Sequence, residues 1–138
     1  MITEANPKQL VRSYFDEVLT QRRIDRLDEL LDQGFRSYAP SGASIDRDQY
    51  QAAVAATLVA FPDLAVTVEE QVAEGDLVAT RWSAVGTHSG DLFGIESTGR
   101  RVRVSAMHMH RVRGGRFIEH WEVIDLQGLL AQLTRGDG

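Results

Sequence analysis

Two histidines, a glutamate and an aspartate lie close together on either side of a Gly-Gly pair near the end of the chain. His108 and His110 precede the glycines at 114–115, and Glu119 and Asp125 follow them. A tight primed hairpin turn needs positive φ at both central positions, which glycine adopts readily, so the pair predicts a β-hairpin. This hairpin would bring imidazoles and carboxylates together, a combination suited to general acid–base catalysis or to metal binding.

The register of the hairpin decides which of these side chains share a face. If the residues beside the turn face each other, His110 lies opposite Glu119 and His108 opposite Trp121. Because side chains alternate across a strand, one face is predicted to carry Ala106, His108, His110, Val112, Phe117, Glu119, Trp121, Val123 and Asp125. This mixture is too polar for an ordinary core and too apolar for an ordinary surface, so we expect a partly dry ligand cavity.

Each of these residues also has a plainer interpretation. His108 and His110 could be half-exposed strand residues paired with carboxylates, and Asp125 could be the N-cap of a following helix. The two histidines and Glu119 could instead hold zinc or iron. His-x-His spacing on a strand is common by chance, however, and we predict no metal. The sequence has neither a nucleophile-elbow motif nor a glycine-rich phosphate loop.

Hydrophobic periodicity predicts the elements that position these residues. Apolar residues at three- and four-residue spacing predict a first helix, which includes Tyr14 and Phe15. A short second helix ends at Gly34, and a third begins at the capping box of Asp46. The period then becomes two, which predicts strands at 64–72, 77–87, 102–113 and 116–124, before a final amphipathic helix. Helices followed by an antiparallel meander indicate an α+β fold, which we assign to a single domain over residues 1–138.

Composition argues against several classes of protein. The 138 residues include no cysteine, which excludes thiolate metal sites and cysteine nucleophiles. Twenty acidic residues against 15 basic ones give a net charge of −5, which disfavours nucleic-acid binding. There is no apolar run long enough to cross a membrane, and the first residues lack the pattern of a signal peptide. We therefore predict a cytoplasmic protein without a nucleic-acid or membrane partner.

A series of short motifs follows one another in a fixed order through most of the chain. They are Phe-Pro-Asp-Leu at 61–64, Glu-Gly-Asp-Leu-Val at 74–78, Arg-Trp at 81–82, Gly-Thr-His-Ser-Gly at 86–90, Phe-Gly-Ile at 93–95, Thr-Gly-Arg at 98–100, His-Arg at 110–111, Gly-Arg at 115–116, Glu-His-Trp at 119–121, and Asp125 with Gly-Leu-Leu at 128–130. In this order they resemble the SnoaL-like polyketide cyclases, also called ester cyclases, of the nuclear transport factor 2-like superfamily.

The resemblance implies a cone-shaped α+β barrel. A curved antiparallel sheet would wrap around three N-terminal helices, with a short helix at the C-terminus and a cavity open at one end. It also implies aldol-type cyclisation or isomerisation of a polyketide-like carbonyl or ester compound, without a metal or organic cofactor. Asp125 matches the family's general acid/base, and His110 or, less closely, His108 matches its partner. An apolar cavity raises the pKa of a carboxylate, which suits it to remove a proton beside a carbonyl.

The expected ligand is a small apolar or aromatic carbonyl compound. The residues predicted to bind it are Trp121, Glu119, Tyr38, Trp82, Tyr14 and Phe15, although the register leaves open whether Arg81 or Trp82 faces the cavity. The related ketosteroid isomerases place an aspartate before a proline where this chain has Ala39, which excludes their chemistry at that position.

Two other functions stay open at this point. One is a non-catalytic ligand-binding module of the same fold. The other is an epoxide-opening hydrolase, for which Arg81 and Asp125 could supply two of the three members of an Asp–Arg–Asp set.

The opposite face of the hairpin predicts self-association. Met107, Met109, Ile118 and Ile124 would form an apolar stripe on the outer sheet face. We expect a homodimer through this face.

Overall fold

The computed structural model describes residues 6–134, and its first elements are helical. α1 (Pro7–Ser13) begins at Asn6, whose side-chain oxygen accepts a hydrogen bond from the Lys8 N–H at 2.9 Å, so the predicted cap is confirmed. The helix continues as a π-helical segment (Tyr14–Thr20) in which both aromatic side chains are buried. Such segments are rare and often occur at functional sites.

A short second helix leads directly into the sheet. A 3₁₀ turn (Ile24–Arg26) precedes α2 (Leu27–Leu30), and β1 (Leu31–Tyr38) follows without a loop. Gly34 lies inside β1, so the prediction that it ends the helix is wrong. The helix ends earlier because Leu31 already has the extended angles φ −93° and ψ 128°.

The third helix begins at the predicted capping box. The Asp46 carboxylate accepts from the Gln49 N–H, and the Gln49 side-chain oxygen accepts from the Asp46 N–H, each at 2.9 Å. β2 (Ser44–Asp46) pairs with β1 immediately before α3 (Arg47–Ala60). The capping box is therefore confirmed, and it fixes where α3 starts beside the sheet.

The rest of the chain forms the predicted meander and final helix. The elements are β3 (Ala65–Glu74), β4 (Leu77–Thr87), β5 (Arg101–Arg113), β6 (Arg116–Ile124) and α4 (Leu126–Thr134). Within residues 6–134 the strands form one six-stranded sheet in the order β2-β1-β6-β5-β4-β3. All neighbours are antiparallel except β1 and β6, which are parallel. The sheet is curved and unclosed, and the predicted α+β cone is confirmed.

The core lies between the first three helices and one face of the sheet, which we call the inner face. Phe15 packs on Trp82 with ring centroids 5.5 Å apart, and Tyr14 packs edge-on against Phe117 at 5.8 Å. Such aromatic contacts add specific geometry to a large buried apolar area. The helices are thereby held over the strands that carry the histidines.

A β-bulge in the β5–β6 hairpin decides which side chains point inward. Val112 pairs with Phe117, as predicted, but Arg111 pairs with Glu119, so Ile118 is an extra residue in β6. A one-residue slip moves every later side chain to the other face of the sheet. The predicted register is therefore wrong beyond Phe117.

Beyond this bulge, the inner face carries His120, Glu122 and Ile124, which strict alternation from Phe117 would place on the outer face. His108 pairs with Glu122 and His110 with His120, and residues paired in this way point to the same side of the sheet. The side chains that move to the outer face instead are Glu119, Trp121 and Val123.

No helix within residues 6–134 is long and apolar enough to span a membrane. Residues 1–5, part of the segment considered above for a signal peptide, lie outside the described residues.

Candidate active site

A cavity of about 610 Å³ lies between the inner sheet face, the π-helical segment, α3 and α4. Most of its wall is apolar and includes Leu19, Val54, Phe61, Val104 and Ile124. Five side chains bring polar atoms to this wall, and these side chains contact one another directly or through the ring of His120. We call them the polar cluster: Tyr14, Ser37, Tyr50, His108 and Glu122. The site thus combines a large apolar space with a small set of groups that can move or share protons.

His108 is held in one orientation by Trp82. The indole Nε1–H donates a hydrogen bond to His108 Nδ1 at 2.7 Å, and both rings are buried. An indole nitrogen can only donate, so Nδ1 is the acceptor and the proton of the neutral imidazole is on Nε2. Nε2 lies 3.2 Å from a carboxylate oxygen of Glu122. His108 therefore presents an N–H to this carboxylate from within the cavity wall.

Glu122 is the carboxylate of the polar cluster, and its side chain is partly buried. Burial by itself raises the pKa of Glu122, but the hydrogen bond from His108 and the electrostatic attraction of the neighbouring imidazoles of His108 and His120 outweigh it. The net pKa lies below the ordinary glutamate value. Glu122 is thus ionised near neutral pH and can accept a proton.

Two tyrosines bring hydroxyl donors to the same region. The hydroxyls of Tyr14, from the π-helical segment, and Tyr50, from α3, are hydrogen-bonded to each other. Burial raises the pKa of both phenols, so both keep their protons. Since their mutual bond uses one proton, the other is available to a ligand. Tyr50 was missed as a site residue, because its place on the apolar stripe of α3 is equally typical of a core side chain.

His120 and His110 lie behind the cavity wall. His120 Nε2 is 2.7 Å from Ser37 Oγ and 3.6 Å from Glu122 Oε2, and its Nδ1 is 3.4 Å from His110 Nε2. Burial and the neighbouring His108 lower the pKa of His120 to about 3, although Glu122 opposes this change. Burial, His120 and His108 also hold the pKa of His110 well below its ordinary value. Both rings are therefore neutral at physiological pH.

The structure brings some of the predicted site residues to the cavity and not others. Those that line it are His108, Tyr38, Trp82 and Tyr14. Phe15 and His110 are fully buried behind the lining, where Phe15 packs against the rings of Trp82 and His108. His110 thus has no place on the cavity surface. Its ring packs against those of Tyr14 and His108, and its Nε2 is linked to the polar cluster through His120.

Asp125 is not in the cavity. Its side chain is exposed, and its carboxylate accepts the Gly128 N–H at 2.9 Å, as an N-cap of α4 does. The predicted position on the inner face is wrong, because β6 ends at Ile124 and the bulge has already exchanged the faces. The alternative interpretation of Asp125 as a helix cap agrees with the structure.

Glu119 and Trp121 are outside the cavity as well. Glu119 accepts a hydrogen bond from Arg111 Nε at 2.9 Å, and the guanidinium of Arg111 lies 5.9 Å from the Trp121 ring centre. Their predicted inward position is wrong because the bulge at Ile118 shifts the register of β6. Arg81 also points away from the cavity and pairs with Glu70, so it does not meet Asp125 as an epoxide hydrolase would require.

One group of side chains within residues 6–134 has ligand atoms close enough for a metal ion. The atoms belong to His108, His120 and Glu122 and lie within 4.8 Å of one another. A ligating imidazole offers a lone pair to the metal and usually donates its other N–H to an acceptor. In His108 these two roles are exchanged. The indole N–H of Trp82 occupies Nδ1, so the imidazole proton is on Nε2, the nitrogen that would have to bind the metal. The hydrogen bonds of this group therefore do not fit a metal site.

Comparisons with known proteins agree with this architecture. The sequence matches the family of SnoaL-like polyketide cyclases over residues 9–133. The structure of wild-type IdmH from Streptomyces antibioticus, a candidate polyketide cyclase, is 34% identical with a TM-score of 0.81, over 93% of this chain and 98% of that one. A comparison with curated protein sequences found no match.

Two further solved structures are similar over almost the whole chain. AclR from Streptomyces galilaeus, a candidate hydroxylase, has a TM-score of 0.88 and 26% identity, over 99% of this chain and 85% of that one. TsrD from Streptomyces laurentii has a TM-score of 0.83 and 27% identity, over 97% of this chain and 98% of that one. By its sequence and its fold, this chain belongs to the SnoaL-like polyketide cyclase family.

Proposed function

We propose that this protein catalyses cofactor-independent acid–base chemistry on a small carbonyl or ester compound, by aldol-type cyclisation or isomerisation. The observation that carries the proposal is the pairing of an ionised carboxylate, Glu122, with an N–H of His108 in the wall of a largely apolar cavity of about 610 Å³. A base and a hydrogen-bond donor in such surroundings are what proton removal beside a carbonyl requires.

The proposed base is Glu122. It takes a proton from a carbon flanked by two carbonyl groups, and the electron pair of the C–H bond moves onto a carbonyl oxygen to form an enolate. A carbon acid activated by two carbonyls does not need a base of raised pKa, so an ionised glutamate is adequate. The enolate carbon then attacks another carbonyl of the same molecule to close a ring, or it takes the proton back at a different position.

The proposed donors to the enolate oxygen are His108 and the tyrosine pair. The Nε2–H of His108 faces the Glu122 carboxylate at 3.2 Å. When Glu122 takes the substrate proton, its negative charge is lost, and this N–H can turn to the enolate oxygen, which is then the stronger acceptor. Tyr14 and Tyr50 together hold one further unused O–H. Such preorganised donors stabilise the charge that develops on oxygen in the transition state.

We assign the catalytic carboxylate to Glu122 and no longer to Asp125, and this assignment can be tested directly. The assay follows loss of the acidic C–H signal of ethyl 2-methylacetoacetate in heavy water by NMR. Glu122→Gln should lower the enzyme-dependent exchange rate by at least about 100-fold, since general-base catalysis contributes this much or more. Asp125→Asn is the matched control and should stay within about twofold of wild type, because asparagine caps a helix as well as aspartate.

Each result has a distinct meaning. Exchange that survives in Glu122→Gln and is lost in Asp125→Asn would refute the assignment of the base. If wild type shows no exchange while the probe signal still broadens on binding, the protein is better described as a non-catalytic binding module of the same fold.

A further inference from the structure

A buried chain of polar contacts leads from one member of the polar cluster, Ser37, to two histidines that have no part in the reaction proposed above. It runs from Ser37 Oγ through both nitrogens of His120 to His110 Nε2, with separations of 2.7 and 3.4 Å. The remaining nitrogen of His110, Nδ1, is buried and has no hydrogen-bond partner among residues 6–134. All three side chains are at least nine-tenths buried.

Two arrangements of protons satisfy this chain. In the first, His120 carries its proton on Nε2 and donates to Ser37 Oγ, while its Nδ1 accepts from the Nε2–H of His110. The unpartnered Nδ1 of His110 is then a lone pair. In the second, every bond is reversed, so that Ser37 donates to His120 and the unpartnered Nδ1 of His110 is an N–H. Neutral imidazole allows either, because one ring nitrogen donates and the other accepts.

Two features of the structure favour the first arrangement. A buried N–H without an acceptor is rarer and more costly than an unused acceptor lone pair, and only the second arrangement contains one. In addition, the carboxylate of Glu122 lies 3.6 Å from His120 Nε2. A negative charge is stabilised by an N–H at this position and destabilised by a lone pair.

The first arrangement determines the role of the Ser37 hydroxyl. Its oxygen accepts from His120, so its own proton cannot be used in that bond. Ser37 lines the cavity, where this proton can reach an oxygen atom of a bound molecule. We propose that Ser37 is a hydrogen-bond donor to the carbonyl compound, and that His120 and His110 are positioning residues that turn the hydroxyl toward it. This role rests on the proposed function of Glu122 and His108.

The proton arrangement can be measured without any substrate. Long-range ¹H–¹⁵N spectra at pH 7 distinguish the two nitrogens of each ring, and the rings of the four histidines are assigned by correlation with their own backbone signals in isotope-labelled wild-type protein. We expect both His110 and His120 to carry the proton on Nε2. A proton on Nδ1 of His120 would overturn the proposal, whatever the result of the exchange assay. Because this experiment uses the wild-type fold, it stays decisive even where a variant fails to fold.

A double-mutant cycle tests the consequence for activity. Ser37→Ala should lower kcat/KM for exchange of ethyl 2-methylacetoacetate by about tenfold, as expected for one lost hydrogen bond, and Ser37→Thr should restore part of it. In a His120→Leu background, the same serine substitution should cost less than about twofold, because the hydroxyl is no longer held. An undiminished tenfold loss in that background would overturn the positioning role of His120.

Failure of this inference and failure of the proposed function would look different. If Glu122→Gln abolishes exchange but Ser37→Ala does not change it, the proposed base stands and the donor role of Ser37 is refuted. If wild type has no exchange activity, the proposed function fails, and the imidazole spectra still decide which way the Ser37 hydroxyl is turned.

Discussion

Lowering the pH from 7 to 5 should destabilise this protein, because the folded chain buries histidines that stay neutral. The pKa of His120 falls from an ordinary 6.5 to about 3 on folding, and its side chain is almost fully buried. At pH 5 the unfolded chain therefore binds a proton at this residue that the folded chain does not bind. Each pH unit below 6.5 costs about 1.4 kcal/mol, so the free energy of unfolding should fall by about 2 kcal/mol at pH 5.

The direction of this effect follows from the sign of the pKa change. A histidine whose pKa is lowered on folding destabilises the folded state as the pH falls through the unfolded value, and the loss continues down to the folded value. His110 acts in the same direction, because its pKa is also lowered. The lowered pKa of Glu122 matters only below the ordinary glutamate range, so it does not contribute between pH 7 and 5.

Urea denaturation at pH 7, 6 and 5 measures this loss. For wild type we expect the midpoint to fall by about 1 M or more between pH 7 and 5, given the usual urea dependence for small proteins. In His120→Asn, the fall in unfolding free energy over the same range should be smaller by about 2 kcal/mol. Ser37→Ala removes a neighbour of His120 but no titrating group, so it should keep the wild-type dependence. If the wild-type protein is equally stable at pH 7 and at pH 5, the reasoning is refuted.

Three further predictions concern the Trp82–His108 hydrogen bond, the Asp125 cap and the outer face of the sheet. Trp82→Phe removes the donor to His108 and should lower the exchange rate about tenfold, and an unchanged rate would show that this bond does not control the imidazole. Asp125→Ala should lower the free energy of unfolding by about 1 kcal/mol in urea titrations while Asp125→Asn does not, and an equal loss in both would contradict the cap. We expect a homodimer through the exposed apolar side chains of the outer face. Met109→Asp or Val123→Asp should then halve the mass measured by light scattering. A monomeric wild-type protein would contradict this expectation.

The outer face differs from the one predicted, although self-association remains a prediction. Met107 and Met109 are exposed there, as expected, but Ile124 lines the cavity. Val123 takes the outward position, because the bulge exchanged the faces of β6. The composition of the apolar surface thus depends on the same extra residue as the composition of the cavity.

Features set by neighbouring residues could be predicted from the sequence. The cap at Asn6 and the capping box of Asp46 depend on side chains that bond to a backbone within three residues. The turn at 114–115 depends on two glycines with positive φ, at 57° and 74°. The order of helices and strands follows from periodicity in the same local way. These signals also sufficed to place His108 on the inner face.

Features set by distant residues could not be predicted. Tyr14 meets Tyr50 from another helix, and Ser37 meets His120 across the parallel pair of β1 and β6. In neither pair does the sequence around one residue indicate which distant residue it will contact. The candidate base was missed for a related reason, since Glu122 was assigned to the outer face by a regular alternation of side chains.

By itself, therefore, the sequence determined the family, the order of the elements, and the presence of histidines and carboxylates on one hairpin. Only the tertiary structure decided which carboxylate reaches the cavity. Ile118 is accommodated as a bulge, and a bulge is settled by how the whole length of β6 packs against β5, β1 and the helices. One extra residue reverses the face of every later side chain in the strand. Packing along β6 therefore overrides the alternating pattern, and it puts Glu122 in the cavity and Asp125 at the start of α4.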